Sequence, residues 1–255
     1  PKGRCENLTL ASQEKAALHV AKGASYIFLQ GLVTNLLMAA AFAIVARILT
    51  AAEMGTMAVL LMVLGASRII TCLGMPQSVT RFIAEHLAGG DREGAAGCFY
   101  QALRANLTVS VPLSAALFLL APFLSSSLLG GFEKAILFQI LAVDIVASAG
   151  LLPVLNNAML GLRKIRQLSL ISICYMVVRQ ALIVVLTLVT RSIQGLVMAW
   201  LISESMLAFA LFLSVRSTLG PPVYNFNLKH LIRFSFPLML QDAVNYVYSW
   251  FDRAI

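Results

Sequence analysis

Six apolar stretches, each long enough to cross a bilayer, run along the chain near 24–46, 54–75, 105–130, 135–160, 168–190 and 193–215, and a seventh begins at about 234. A hydrocarbon core of about 30 Å takes about 20 apolar residues when they are helical. Strands of a membrane barrel would be about half as long and would alternate in polarity. The pattern therefore predicts an all-α integral membrane fold. Composition agrees, with 60% hydrophobic and 12% charged residues, where a soluble domain carries about 45–50% and about 25%. A soluble fold of this size has too much surface to hide that apolar content.

The formal charge is +8, from 19 Lys and Arg against 11 Asp and Glu. In a soluble protein such an excess would point to nucleic acid. Here its distribution points to topology. One set of connections holds Lys2, Arg4, Lys15, Lys22, Arg81, Arg92, Arg104, Arg163, Lys164, Arg166, Arg216, Lys229 and Arg233, and the other holds only Arg47, Lys134 and Arg191. The bias predicts a cytoplasmic N-terminus and explains the basic excess without a nucleic-acid partner.

Turn chemistry divides the chain. Residues 1–22 read as a cytoplasmic amphipathic lead-in lying at the interface, and 23–216 as a six-helix transmembrane lobe. Gly220-Pro221-Pro222 and Tyr224-Asn225-Phe226-Asn227 cannot continue a helix, so 217–233 is a cytoplasmic linker. Residues 234–255 are then the incomplete first helix of a second lobe. A start at Pro1 and a stop inside an apolar stretch at Ile255 read as a truncated chain.

Motifs for chemistry are missing. No G-x-x-x-x-G-K-[ST] cradles a nucleotide and no H-E-x-x-H binds zinc. His19, His86 and His230 are scattered, Cys5, Cys72, Cys98 and Cys174 lack metal spacing, and no acidic cluster of the D-D-x-x-D kind could hold magnesium. The expectation is no enzyme, no cofactor and no metal site.

Ionisable residues inside spans cost about 2.5–3.5 kcal/mol each on insertion scales and are functional candidates by default. Here they are Arg68, Asp144, Arg179, Glu204 and Asp242, with Asn35 among the lesser polar intruders. They either line a polar cavity or pair with one another, and both readings stand. Pairing has a specific form. Arg179 precedes Arg191 by 12 residues and Glu204 follows Ser192 by 12. At a rise of 1.5 Å per residue both lie about 18 Å from the same turn on antiparallel neighbours, which predicts a buried ion pair. Asp144, 11 residues beyond Glu133, is about as deep and competes for Arg179.

The first hairpin reads Ala46-Arg47-Ile48-Leu49-Thr50-Ala51-Ala52-Glu53-Met54-Gly55. Leu73-Gly74-Met75-Pro76 and Arg81-Phe82-Ile83-Ala84-Glu85 leave the second span, Leu160-Gly161-Leu162-Arg163-Lys164 the fourth, and Phe236-Pro237-Leu238 with Asp252-Arg253 open the seventh. Together these resemble the polysaccharide, or lipid-linked oligosaccharide, flippases of the multidrug/oligosaccharidyl-lipid/polysaccharide exporter superfamily. Of the motif residues, Arg47 closes a span where it can snorkel to headgroups, and Gly55 is expected to let the chain turn tightly back into the bilayer. The resemblance implies two facing six-helix lobes, of which this chain is one plus the first helix of the next, with Arg253 echoing Arg47.

It also implies alternating access across the cell membrane for a polyprenyl-linked glycan precursor. The partners would then be the bilayer, that substrate and glycan-assembly enzymes. The substrate cavity would draw on Arg68, Arg179, Asn35, Asp144, Glu204 and Asp242, with arginines receiving the diphosphate because the planar fork suits phosphate oxygens. Two alternatives remain: a drug or metabolite exporter of the same superfamily, marked by a more apolar cavity, and a membrane-embedded glycan transferase or polymerase, for which the outer connections are short.

Overall fold

The computed structural model describes residues 25, 28–72, 74–223 and 228–254, with side chains omitted at 228–230 and 249–254. The expected lead-in at 1–22 lies outside the described residues. Every regular element among the described residues is helical. Helix α1 spans Phe28–Ile48. It is followed by α2 (Ala51–Cys72), α3 (Met75–Ala88), α4 (Arg92–Leu129), a 3₁₀ turn (Phe132–Lys134), α5 (Ala135–Ile145), a π-helical segment (Val146–Leu151), α6 (Leu152–Gly161), α7 (Ile165–Thr190), α8 (Ile193–Leu219) and α9 (Leu228–Ala254).

Six described helices are long and apolar enough to span a bilayer: α1, α2, α4, the α5–α6 unit, α7 and α8. Their outward faces carry large apolar side chains such as Leu119, Phe123, Val189 and Phe209 in exposed positions, as lipid contact requires. This is an all-α, multi-pass membrane bundle. Helix α9 is as long as α8 but is not among the six, because Arg233, Gln241, Asp242 and Asn245 interrupt its apolar run.

The third span differs from expectation. Charge spacing placed its start at 105, yet α4 begins at Arg92. The added turns bury Ala95 to Tyr100, Ala102 and Leu103 against α3, α6 and α8, so part of the 76–104 stretch, which reads as a helical connection broken at Gly89-Gly90-Asp91, is core and continuous with the span. Asp91 caps this helix, accepting from Gly94 N–H at 2.8 Å and lying 2.8 Å from His86 Nδ1. The Gly94 bond first, and His86 second, hold its carboxyl below the usual range.

Among the described residues packing falls into two apolar cores. One joins α3, α4, α6, α8 and the start of α9 near the 89–91 turn, and the other joins α1, α2, α4, α5, α7 and α8 near the opposite end. Along α8 the second core ends at Trp200 and the first resumes at Leu207. Ser203 and Glu204 fall in the gap.

At the far end Glu53 ties two hairpins together. Its Oε2 accepts from Thr50 N–H (2.9 Å) and Thr50 Oγ1 (3.0 Å), while Glu53 N–H returns a bond to Thr50 Oγ1 at 3.3 Å. This is a capping box at the start of α2. The other oxygen, Oε1, accepts from Ile193 N–H at 3.3 Å and so caps α8 as well. Losing a cap costs about 0.5–2 kcal/mol. Glu53→Ala is therefore expected to lower thermal stability of the purified chain by an amount near the top of that range, and Glu53→Gln by less. Equal melting of Glu53→Ala and wild type would show that the shared cap contributes nothing.

Candidate functional site

The gap between the cores holds the charges. Arg179 on α7 places Nη2 3.5 Å from Glu204 Oε1 on α8, with side chains 23% and 9% exposed. Equal depth from the turn at 191–192 brings them together on packed neighbours. Nη1 of Arg179 donates to the Tyr175 hydroxyl at 3.1 Å, one helical turn away. Arg179 Nε and Glu204 Oε2 are buried without a hydrogen-bond partner.

Asp144 completes the group from α5 and is 0% exposed. Neither carboxyl oxygen accepts a hydrogen bond of normal geometry. Ser148, which lies against both acids, turns its hydroxyl to the Asp144 carbonyl at 2.9 Å. Arg68, exposed on α2, stands close enough to act electrostatically on both carboxyls. Four charges from four spans thus form one set of zero net charge when all are ionised.

Directly after Asp144 the helix widens into the π segment. Such segments release carbonyls from the regular ladder and are frequent at functional sites. The Ala149 carbonyl is met by Thr71 Oγ1 (3.4 Å) and Cys72 Sγ (3.7 Å) from α2, and the Gly150 carbonyl by Asn106 Nδ2 (3.3 Å) from α4. Sequence reading runs this span unbroken from 135 to 160 and misses the widening. The signals were the small-residue run Ala147-Ser148-Ala149-Gly150 and Pro153 just beyond it.

A cavity of about 510 Å³ adjoins the cluster between α1, α2, α7 and α8. Asn35, Gln180 and Arg179 supply its polar wall, and Phe42, Leu61 and Trp200 are typical of the rest. Of the expected cavity residues, Asn35 and Arg179 line it. Asp144, Glu204 and Arg68 are outside its lining. Asp242 stands apart on α9, where it accepts from Gln77 Nε2 of α3 at 3.2 Å.

The motif residues divide by role. Gly74, at φ 67°, caps α3 and touches α9, where an added Cβ would meet the Ser235 carbonyl and the Met239 N–H. Gly161 lies against Ile83 and Thr80, each 3.0 Å from where its Cβ would be. Arg81 sets its guanidinium 4.5 Å over the Phe234 ring, a cation–π contact. Arg47 and Pro237 are exposed, the latter inside α9, and the Arg253 side chain lies outside the described residues. Gly55 corrects an expectation. The chain turns at 49–50, whereas Gly55 sits within α2 with open space around it and no positive φ. The turn is made by the Thr50–Glu53 cap instead.

Neither a curated protein nor a solved structure matches the chain. A family model described as "Polysaccharide biosynthesis protein" matches residues 20–255. With that match across a bundle of membrane-spanning helices, the chain belongs to the polysaccharide biosynthesis protein family, the flippase group of the multidrug/oligosaccharidyl-lipid/polysaccharide exporter superfamily.

Proposed function

We propose that this protein moves a lipid-linked oligosaccharide or polysaccharide precursor across the cytoplasmic membrane, as a transporter rather than an enzyme. The observation that carries the reading is the pair of arginines at mid-bundle, Arg179 on the cavity wall and Arg68 exposed on α2, in a chain of this family. Arginine stays charged and offers a planar fork to phosphate oxygens. The basic bias supports a cytoplasmic N-terminus and puts Arg68 toward the side from which a precursor loads. Alternating access would rock this lobe against a partner lobe about the site, driven by an ion gradient or by substrate supply. The substrate's neighbours in the membrane would be lipid and glycan-assembly enzymes.

One observation favours a second reading. Apart from Asn35, Gln180 and Arg179 the cavity wall is apolar, which suits an exporter of drugs or metabolites. The test is flipping of a fluorescent polyprenyl-diphosphate sugar in vesicles carrying the protein. Hydrogen bonds to an ionised group contribute about 1.5–3 kcal/mol, so Arg68→Ala should slow flipping about tenfold or more, with Arg68→Lys between it and wild type. Unchanged flipping in Arg68→Ala would remove Arg68 from the site. Absence of protein-dependent flipping, with efflux of an apolar cation instead, would favour the second reading.

A further inference from the structure

Glu204 has an arginine at 3.5 Å, while Asp144, at 0% exposure, has no hydrogen bond to either carboxyl oxygen. The charged groups facing Asp144 are Glu204 from α8, Arg179 from α7 and Arg68 from α2. Helix α4, packed along α5, brings only neutral groups here: the buried Ser110 hydroxyl, against Gly150, makes no hydrogen bond, while Ser114 donates to the Ala142 carbonyl (2.6 Å) and Asn106 to the Gly150 carbonyl (3.3 Å). Ser148 is likewise turned to backbone. An ionised Asp144 would be a bare carboxylate beside a second one, with Arg179 engaged by Glu204 and Arg68 exposed. Burying an unpaired charge is the most expensive arrangement a side chain can take, and neighbouring carboxylates disfavour double ionisation.

We propose that Asp144 is a proton-binding site, holding one exchangeable proton while Arg179 serves Glu204 alone and releasing it when Arg179, keeping Glu204, also reaches Asp144 with its idle Nε and bridges the two carboxylates. Release converts Asp144–COOH to Asp144–COO⁻ and H⁺. The proton leaves through the cavity that Arg179 lines, and no electron moves. Two idle groups make the exchange feasible, since Arg179 Nε and Glu204 Oε2 are both buried without partners. With the proton bound, two arginines face one carboxylate and the cluster carries one positive charge; with it released the cluster is neutral. Proton occupancy and attraction for an anionic group at Arg68 and Arg179 are therefore linked, and each favours the other. That linkage rests on the transporter reading; the proton site itself does not.

Infrared difference spectroscopy of the full chain in lipid nanodiscs, between neutral and strongly alkaline pH, tests it directly. A carbonyl band of a neutral carboxylic acid is expected at neutral pH, shifted by ¹³C-carboxyl aspartate labelling and not by labelled glutamate. Asp144→Asn should abolish it. Glu204→Gln frees Arg179 for Asp144, which should then ionise, so the band should be lost at neutral pH there too. The isotope arm needs no substitution and assigns the band to an aspartate, and its loss in Glu204→Gln assigns it to the aspartate beside the Arg179–Glu204 pair even if Asp144→Asn does not fold. No aspartate band at neutral pH, or one that persists at full intensity in Asp144→Asn or Glu204→Gln, would overturn the assignment. Flipping without the band would sink the proton site alone, and the band without flipping would sink the flippase reading alone.

Discussion

Arg179→Glu and Glu204→Arg should each sharply reduce the yield of folded protein, and the double variant should recover much of it. The two side chains meet at 3.5 Å between α7 and α8, in the gap where the apolar cores part. Removing one member of a buried pair leaves the other charge uncompensated, which costs about 3–5 kcal/mol in soluble proteins. Reversing one member is worse, because Asp144 and Arg68 act on the same group and three like charges then face a single opposite one. Swapping both restores the attraction but not the Tyr175 hydroxyl bond to Arg179, so recovery should be incomplete. Folded fraction by size-exclusion profile and thermal unfolding in detergent would measure it. If the double variant recovers nothing while Asp144→Arg rescues Arg179→Glu, the working partner of Arg179 is Asp144.

That pair was legible in the sequence for a geometric reason. A two-residue turn fixes depth on both sides, and 12 residues each way bring Arg179 and Glu204 level. Rotation about each helix axis was not legible, because no single residue sets it; packing of whole faces does. The same limit hid the placement of Arg68, which shares the second span with the cavity-lining Met57 and Leu61 yet falls outside the lining. Span positions were readable from apolar length, except where small residues in a helix look like a connection, as at Ala95–Leu103 in α4. The π segment escaped because residues 135–152 are apolar or small on nearly every face, so the phase shift that an extra residue makes has no stripe to displace. Glu53 stood out as part of a motif, but its bond to Ile193 joins residues 140 apart, and local pattern carries no information at that range.

Gly74→Ala should destabilise the chain by several kcal/mol and loosen α9, while Gly55→Ala should be neutral or stabilising. Both glycines belong to the motif stretches, and their surroundings separate them. Gly74 has φ 67°, and a methyl group there would press into the Ser235 carbonyl and approach Met239 N at 2.6 Å. A left-handed L-residue costs roughly 1–2 kcal/mol, and overpacking against backbone costs about 1–3 kcal/mol more. Backbone atoms cannot rotate away as a flexible side chain can, so relief requires α9 to shift from α3. The contacts that would break with it are the buried Ser78–Ser235 hydroxyl pair at 2.7 Å and the Tyr246 hydroxyl bond to the Met62 carbonyl at 2.8 Å. Gly55 meets nothing within 4 Å in a helical conformation, where Ala is favoured over Gly by about 1 kcal/mol. Cysteines at 78 and 235 give a direct readout of docking. Their cross-linking should be efficient in the otherwise wild-type chain and in Gly55→Ala, and poor in Gly74→Ala. Equal cross-linking and equal melting temperatures in the two glycine variants would mean that α9 is held by something other than the close approach at Gly74.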